Sequence, residues 1–430
     1  MSKKKLGRSV SIIGVGYSPL GFTHKSPEVL NWTERELLSY AAYEAMEDAG
    51  ISPKNIDAYY VGMSGPNFNA MTKSAAPHYA EWFGMRNKPA LFHDEGCGSF
   101  LAGMYESVLA VASGMYDCVL NGGVSILNTR PRLCYPPHIR DTYPREDLYN
   151  NTWSDIDPAY EKPGTGGVDT LDLPILAYMR EYGYTEEEID DAVHTFIIGQ
   201  RRAVMGNPKN LENKVSWEEE AAKFGYDDVK KYLLDPKYNP KMGALVRGKW
   251  MSHKVDGGSA CIVCATEKVA ELCTQQHPTE VIGIHMGTYD NRDDLRFNYH
   301  FEKPSFDAAY EMAGITDPLK EVDYLEAFDS VEHHLIKLVE ESGYVPAGEC
   351  VNYMREGRMD FDGDRPVNAG GGKNALGHPT AASGGISIAE TVYQMRGTAG
   401  LHQMKKVPKV ACVYGCGGGQ TQITTVLKQR

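Results

Sequence analysis

Two stretches carry apolar residues at three- and four-residue spacing behind clear start signals, the mark of helices with one buried face. Over 34–49, Leu37, Leu38, Ala41, Ala42, Ala45 and Met46 fall on one side. Thr33 followed by Glu36 makes a capping box, and Gly50 stops the run. Over 185–205 the Thr185–Glu188 pair opens a second helix in the same way. A third periodic run, Leu101, Met104, Tyr105, Val108, Leu109, Ala112 and Met115, follows a short apolar strand at 89–92. Further apolar strands are predicted over 9–15, 56–62, 118–120, 255–265, 281–284, 410–414 and 422–427. Additional helices are predicted over 77–83, 331–343 and 382–395.

The order of these elements repeats. Ala41-Ala42-Tyr43-Glu44 precedes an Ala49-Gly50-Ile51 corner and a strand; Ala308-Ala309-Tyr310-Glu311 precedes Ala313-Gly314-Ile315 and another strand. Two α/β halves of similar fold follow from this. Inserted in the first half, 126–252 is richer in Tyr, Pro, Arg, Trp and acids, and its apolar residues are scattered. That stretch is too long for a linker and reads as an inserted lid. The expected division is 1–125 for the first part of the N-terminal half, 126–252 for the lid, 253–278 for the rest of that half, and 279–430 for the C-terminal half.

Composition narrows the function. The 430 residues carry 44 Lys and Arg against 57 Asp and Glu, a net charge of −13. This speaks against nucleic-acid binding, and an anionic substrate would need a local basic pocket. No apolar run reaches the ~20 residues of a membrane span. The nine cysteines, an odd count without a signal peptide, suit a reducing cytoplasm. Cys261 and Cys264 have a metal-site spacing. In an extended apolar strand, however, their side chains point to opposite faces, so a core strand is expected and no metal site.

Three places bear on chemistry. Cys97 sits in Gly96-Cys97-Gly98-Ser99, where a strand turns into a helix; the free N–H groups of a helix start favour a thiolate there, although a small buried cysteine fits the same local sequence. His378 lies in the glycine-rich run 368–379 just before Pro379. Gly415-Cys416-Gly417-Gly418-Gly419 is a nearly bare backbone turn after an apolar strand. A nucleophile, a base and close N–H donors for an oxyanion would be supplied together if the halves pack face to face.

Gly377-His378-Pro379, Ser383-Gly384 and Gly417-Gly418-Gly419-Gln420, with Cys97, Gly122-Gly123 and Asp256-Gly257-Gly258 in matching order, resemble the signature loops of the thiolase superfamily over nearly the whole chain. The resemblance implies a five-layered αβαβα sandwich, usually dimeric, and a CoA-dependent enzyme with no permanently bound cofactor. It implies that Cys97 accepts the acyl group, that His378 activates it, and that the N–H groups of Cys97 and Gly418 hold the oxyanion. Two positions depart from the pattern. Leu325 stands where thiolases carry Asn or His, and Gly415 where they carry an acid/base cysteine, with Cys416 one residue late. Cys416 fits either a displaced acid/base or a small filler; Glu326, Asp329 and His333 are alternative polar groups or helix-surface residues. These departures resemble the divergent branch of sterol-carrier-type and archaeal thiolases, and within it the benzoylsuccinyl-CoA thiolases of anaerobic toluene breakdown. That branch implies a small zinc-ribbon plus OB-fold partner subunit. Arg130, Arg132, Arg140, Arg247 and Lys249 are the candidate cations for a substrate carboxylate or the CoA phosphates. Rival readings are an acetoacetyl-CoA thiolase, a ketosynthase or C-acyltransferase on the same Cys and His, and a non-catalytic scaffold subunit.

Overall fold

A computed structural model describes residues 5–63, 76–126, 171–275, 277–288, 300–417 and 421–430. Its strands are β1 (Val10–Tyr17), β2 (Ala58–Met63), β3 (Ala90–His93), β4 (Cys118–Ser125), β5 (Gly257–Ala265), β6 (Thr279–Thr288), β7 (Tyr324–Glu326), β8 (Val410–Gly417) and β9 (Thr421–Gln429). They form one sheet in the order β3-β2-β4-β5-β1-β6-β9-β8-β7. The principal helices are α1 (Glu34–Ala49), α2 (Ser99–Ala112), α3 (Asp172–Tyr182), α4 (Glu186–Val204), α5 (Lys303–Ala313), α6 (Leu335–Glu341) and α7 (Ser383–Arg396).

The sheet is two half-sheets joined at one short seam, where β1 and β6 share only three residue pairs, Val10 to Ile12 against Val281 to Thr279. Helix α1 covers the outer face of the N-terminal half-sheet and α5 that of the C-terminal one. Helices α2 and α7 lie between the two and touch strands of both. This gives the five layers of the expected sandwich. Burial follows the layers. Leu37, Leu38 and Ala41 of α1 pack with Ile13, Val61 and Ile262. Leu101, Met104 and Val108 of α2 and Ile388 and Val392 of α7 fill the centre with Val263, Val413 and Ile423. Leu109 and Met115, expected on the buried face of α2, are exposed instead, 41% and 71%. The helix ends at Ala112, so Met115 lies beyond it.

Four strands of each half correspond, β2-β4-β5-β1 in one and β7-β8-β9-β6 in the other, with β3 an added edge strand on the first. Both β1 and β6 carry a bulge next to a glycine, Gly14 and Gly283. At each, an added Cβ would lie 2.0 or 2.3 Å from a helix carbonyl oxygen, that of Ala45 in α1 or Ala309 in α5. Both helices end on a left-handed glycine, Gly50 and Gly314. Anchored on these glycines, Ala45 matches Ala309, and the two Ala-Ala-Tyr-Glu runs lie three residues out of register. The Ala-Gly-Ile corner is the true repeat, because it is the part that a backbone requirement fixes.

Helices α1 and α4 begin at their capping boxes as expected. The helix predicted over 77–83 is reduced to a 3-10 turn, Ala76–Tyr79. The described part of the insertion forms α3, α4 and two short helices, Trp217–Lys223 and Val229–Leu234. Their apolar faces share one core with α5, α6 and the outer face of the C-terminal half-sheet. Cys261 and Cys264 face opposite sides of β5, one in the central core and one under α1.

Candidate active site

Cys97 lies in a single 3-10 turn, Gly96–Gly98, that runs straight into α2. Gly96 is left-handed, φ 55°, which lets the chain leave β3 and reverse into the helix. The buried Ser99 hydroxyl fixes the turn: it accepts from the Glu95 N–H at 2.9 Å and lies 2.7 Å from the Gly96 carbonyl oxygen. The C-terminal glycine turn touches this one directly. A Cβ on Gly98 would lie 2.9 Å from the Gly417 nitrogen, and one on Gly417 2.1 Å from the Glu95 carbonyl oxygen. The Thr421 hydroxyl donates to the Glu95 carboxylate at 2.9 Å.

His378 reaches the same place from the other half. Its Nε2 is 3.3 Å from the Cys97 sulfur. The loop before it is anchored from below: the Lys373 N–H donates to both oxygens of Asp329 at 3.0 Å. Gly372 in that loop has φ 58°, and its missing side chain makes room for the Asp329 carboxylate. Behind it, the N-terminal half supplies a seat. The Ser125 hydroxyl accepts from the Ala381 N–H at 3.0 Å, and the Ser259 hydroxyl donates to the Ala382 carbonyl at 2.7 Å. The segment 252–253 straps the loop laterally: the His253 N–H donates to the Lys373 carbonyl at 3.0 Å, and the His378 N–H to the His253 carbonyl at 2.7 Å. Phe328 stands edge-on to the His378 ring, centroids 5.7 Å apart.

The electrostatics set the resting protonation. Burial pushes the Cys97 thiol up, against the opposing pull of Lys254 and Lys373. Burial, aided by the same two lysines, pulls His378 well below the usual histidine range. The pair therefore rests as thiol and neutral imidazole. The helix-start preference for a thiolate is outweighed by desolvation. The sign for pH dependence follows. Protonation of His378 removes the base only below its depressed pKa, so no activity is lost to it between pH 7 and pH 6. Thiolate accumulates only as pH rises through the raised thiol pKa. Alkylation of Cys97 by iodoacetamide is accordingly expected to climb about tenfold per pH unit from neutrality to beyond pH 9. A plateau already reached near neutral pH would show a thiolate–imidazolium pair instead.

The remaining candidates fall elsewhere. Cys416 is partly exposed on the face of β8 that carries Cys412 and Tyr414, bordering the same apolar core as Cys97. Gly415 faces the other way, where a Cβ would lie 2.5 Å from Leu101. Gly418, Arg130, Arg132 and Arg140 lie outside the described residues. Arg247 and Lys249, expected to meet substrate, are held inside the insertion. Arg247 makes a two-pronged bond to Asp190, 2.8 and 2.7 Å, with both side chains buried. Lys249 bonds Glu220 at 2.8 Å over the ring of Trp217. Their charges serve packing.

Leu325 is buried in β7 and offers no polar group. Glu326, Asp329 and His333 are interior rather than helix-surface residues. Asp329 anchors the His378 loop, and His333 pairs with Asp172 of α3 at 2.8 Å. Tyr324 donates to Glu326, whose pKa burial pushes up to about 7. Lys254 and Lys373 are electrostatic neighbours of the pair that sequence reasoning did not assign, and Asp329, named there only as an alternative polar group, is the anchor of the His378 loop.

The N-terminal domain family of thiolases matches residues 10–166, and the thiolase C-terminal domain-like family matches residues 285–429. The chain belongs to the thiolase superfamily. It is an enzyme of the acyltransferase class. An acetyl-CoA acetyltransferase of Methanothermobacter thermautotrophicus is 25% identical over 96% of this chain and 97% of its own length. The benzoylsuccinyl-CoA thiolase subunit BbsB of Thauera aromatica is 26% identical over 96% of each. Among solved structures, an Ltp2–ChsH2(DUF35) aldolase has the same fold, with TM-score 0.72 and 18% identity over 98% of each chain. Among the described residues, no helix is long and apolar enough to cross a membrane.

Proposed function

We propose that this thiolase-superfamily chain cleaves a β-keto acyl-CoA with free CoA through an acyl group carried on Cys97. The observation that carries the reading is the 3.3 Å approach of His378 Nε2 to the Cys97 sulfur across the two halves. In the forward step His378 Nε2 takes the thiol proton as the sulfur attacks the β-carbonyl carbon. The bond between the α and β carbons breaks, and the electron pair leaves as the enolate of a shorter acyl-CoA. A proton returned to the α-carbon releases that product; Cys416, one residue after the usual cysteine position, is assigned this transfer. CoA thiol then gives its proton to the Cys416 thiolate as its sulfur attacks the Cys97 thioester; the acyl group leaves on CoA, and the Cys97 sulfur takes back the proton held on His378. The N–H groups of Cys97 and Gly418 are assigned the oxyanion.

The substrate reading follows the departures from the common pattern. A buried Leu325 in place of a polar residue suits a bulky, apolar acyl part, and the BbsB likeness spans the chain. The reading is cleavage of benzoylsuccinyl-CoA with CoA to benzoyl-CoA and succinyl-CoA. A two-chain solved neighbour and a relative named as a subunit favour a small zinc-ribbon/OB-fold partner. A homodimer core is favoured by β3, an edge strand that exposes Leu91 and Phe92. The odd cysteine count favours a cytoplasmic setting. The test is thiolytic cleavage of benzoylsuccinyl-CoA and of acetoacetyl-CoA, with and without any co-purifying small subunit. Faster turnover of the aryl substrate is expected. Turnover of acetoacetyl-CoA alone would reassign the substrate, and turnover of neither would favour the scaffold reading.

A further inference from the structure

The loop that carries His378 is an irregular piece of backbone. It is left-handed at Asn368, Gly371, Gly372 and Gly377, and within it the chain makes a single π-helical turn, Gly372–Leu376. Strained backbone of this kind persists only where the surroundings fix it. A buried turn must also find partners for its peptide groups outside itself. Asp329 and the His253 strap supply some of them. Two buried asparagines, one in the turn and one in the insertion, complete the grip.

Asn374 reaches out of the turn. Its Nδ2 donates to the carbonyls of Lys249 and Met251, both at 3.0 Å. Two carbonyl acceptors settle which end of the amide is the donor. The segment that supplies them is itself held: Met251 pairs with Val331, and the Ser252 N–H donates to the Ser330 carbonyl at 2.9 Å. Asn213 reaches in. Its Nδ2 donates to the Ala375 carbonyl at 2.5 Å. Asn210 presents it, accepting the Asn213 N–H at 3.0 Å and donating to the Asn213 carbonyl at 2.8 Å. The two amides thus tie adjacent residues of the turn, 374 and 375, to the inserted segment. His378 follows shortly after, and its Nε2 stands 3.3 Å from the Cys97 sulfur.

We propose that Asn374 and Asn213 are positioning residues for His378: their amides pin the π-helical turn to the insertion and so aim the imidazole at Cys97. They act through His378 and take no part in proton transfer themselves. This rests on the thiolase reading above, which makes His378 the base.

The test is a double-mutant cycle on thiolytic cleavage, run with any co-purifying small subunit present. Asn374→Ala is expected to lower kcat by about ten- to hundredfold at neutral pH with KM little changed, the scale of a misplaced reacting group. Asn374→Asp keeps the shape but turns acceptors toward two carbonyls, and is expected to match Asn374→Ala. In the His378→Asn background, where there is no imidazole to aim, Asn374→Ala is expected to cost nothing further. Its deficit in the wild-type background is also expected to shrink as pH rises and thiolate forms unaided. Should Asn374→Ala fail to fold, Asn213→Ala, which removes one hydrogen bond from the other side of the turn, carries the same cycle. Wild-type kcat in the single variant, an equal loss in both backgrounds, or a deficit constant from pH 7 to pH 10 would overturn the assignment while leaving the thiolase reading intact. Unimpaired cleavage by His378→Asn itself would instead sink the thiolase reading and this inference with it.

Discussion

Cys97→Ala is expected to lower thiolytic cleavage by about 10⁴-fold or more, the scale seen when a covalent nucleophile is removed. The small change leaves the turn intact, because Ser99 and the Gly98–Gly417 backbone contact hold it without the sulfur. Binding of acyl-CoA is expected to persist, so the loss falls on kcat rather than KM. A variant that keeps even a tenth of wild-type turnover would mean that the acyl group never rests on this residue. The comparison is made by steady-state kinetics, with the thermal midpoint recorded to confirm folding.

The second large effect belongs to His378. His378→Asn is expected to cost about 10²- to 10⁴-fold at neutral pH, the usual range for a positioned general base. Because the resting thiol is held protonated by burial, its activation depends on that base. The deficit is therefore expected to shrink as pH rises and thiolate forms unaided. A deficit unchanged from pH 7 to pH 10 would show that His378 acts mainly on the substrate. The double variant with Cys97→Ala is expected to be no slower than Cys97→Ala alone, since the two groups act as one unit.

Much of this arrangement was legible before any coordinates. Capping boxes at Thr33 and Thr185 marked helix starts because their hydrogen bonds are local and written in adjacent residues. The strand alternation placed Cys261 and Cys264 on opposite faces for the same reason. The order of the internal repeat was visible in the sequence; its register is set by the glycines at the strand bulges and helix ends rather than by the Ala-Ala-Tyr-Glu runs.

What sequence could not supply was pairing over distance. Arg247 finds Asp190 57 residues away, and Lys249 finds Glu220 29 residues away. Only the folded insertion shows that these cations are used internally. The protonation of Cys97 was misread for a related reason. Helix-start N–H groups are a local feature, whereas the burial that opposes them is created by the meeting of two halves more than 280 residues apart in the chain, the Cys97–His378 separation being 281.

The central claim is that Cys97 carries the acyl group. Intact-mass measurement after brief incubation with benzoyl-CoA or acetyl-CoA, with any co-purifying small subunit present, tests it most directly. The account predicts one added acyl group per chain, mapped to the peptide containing Cys97, absent in Cys97→Ala and discharged by free CoA. An unmodified mass under conditions where the substrate is being cleaved, or an acyl group mapped to another residue, would contradict it.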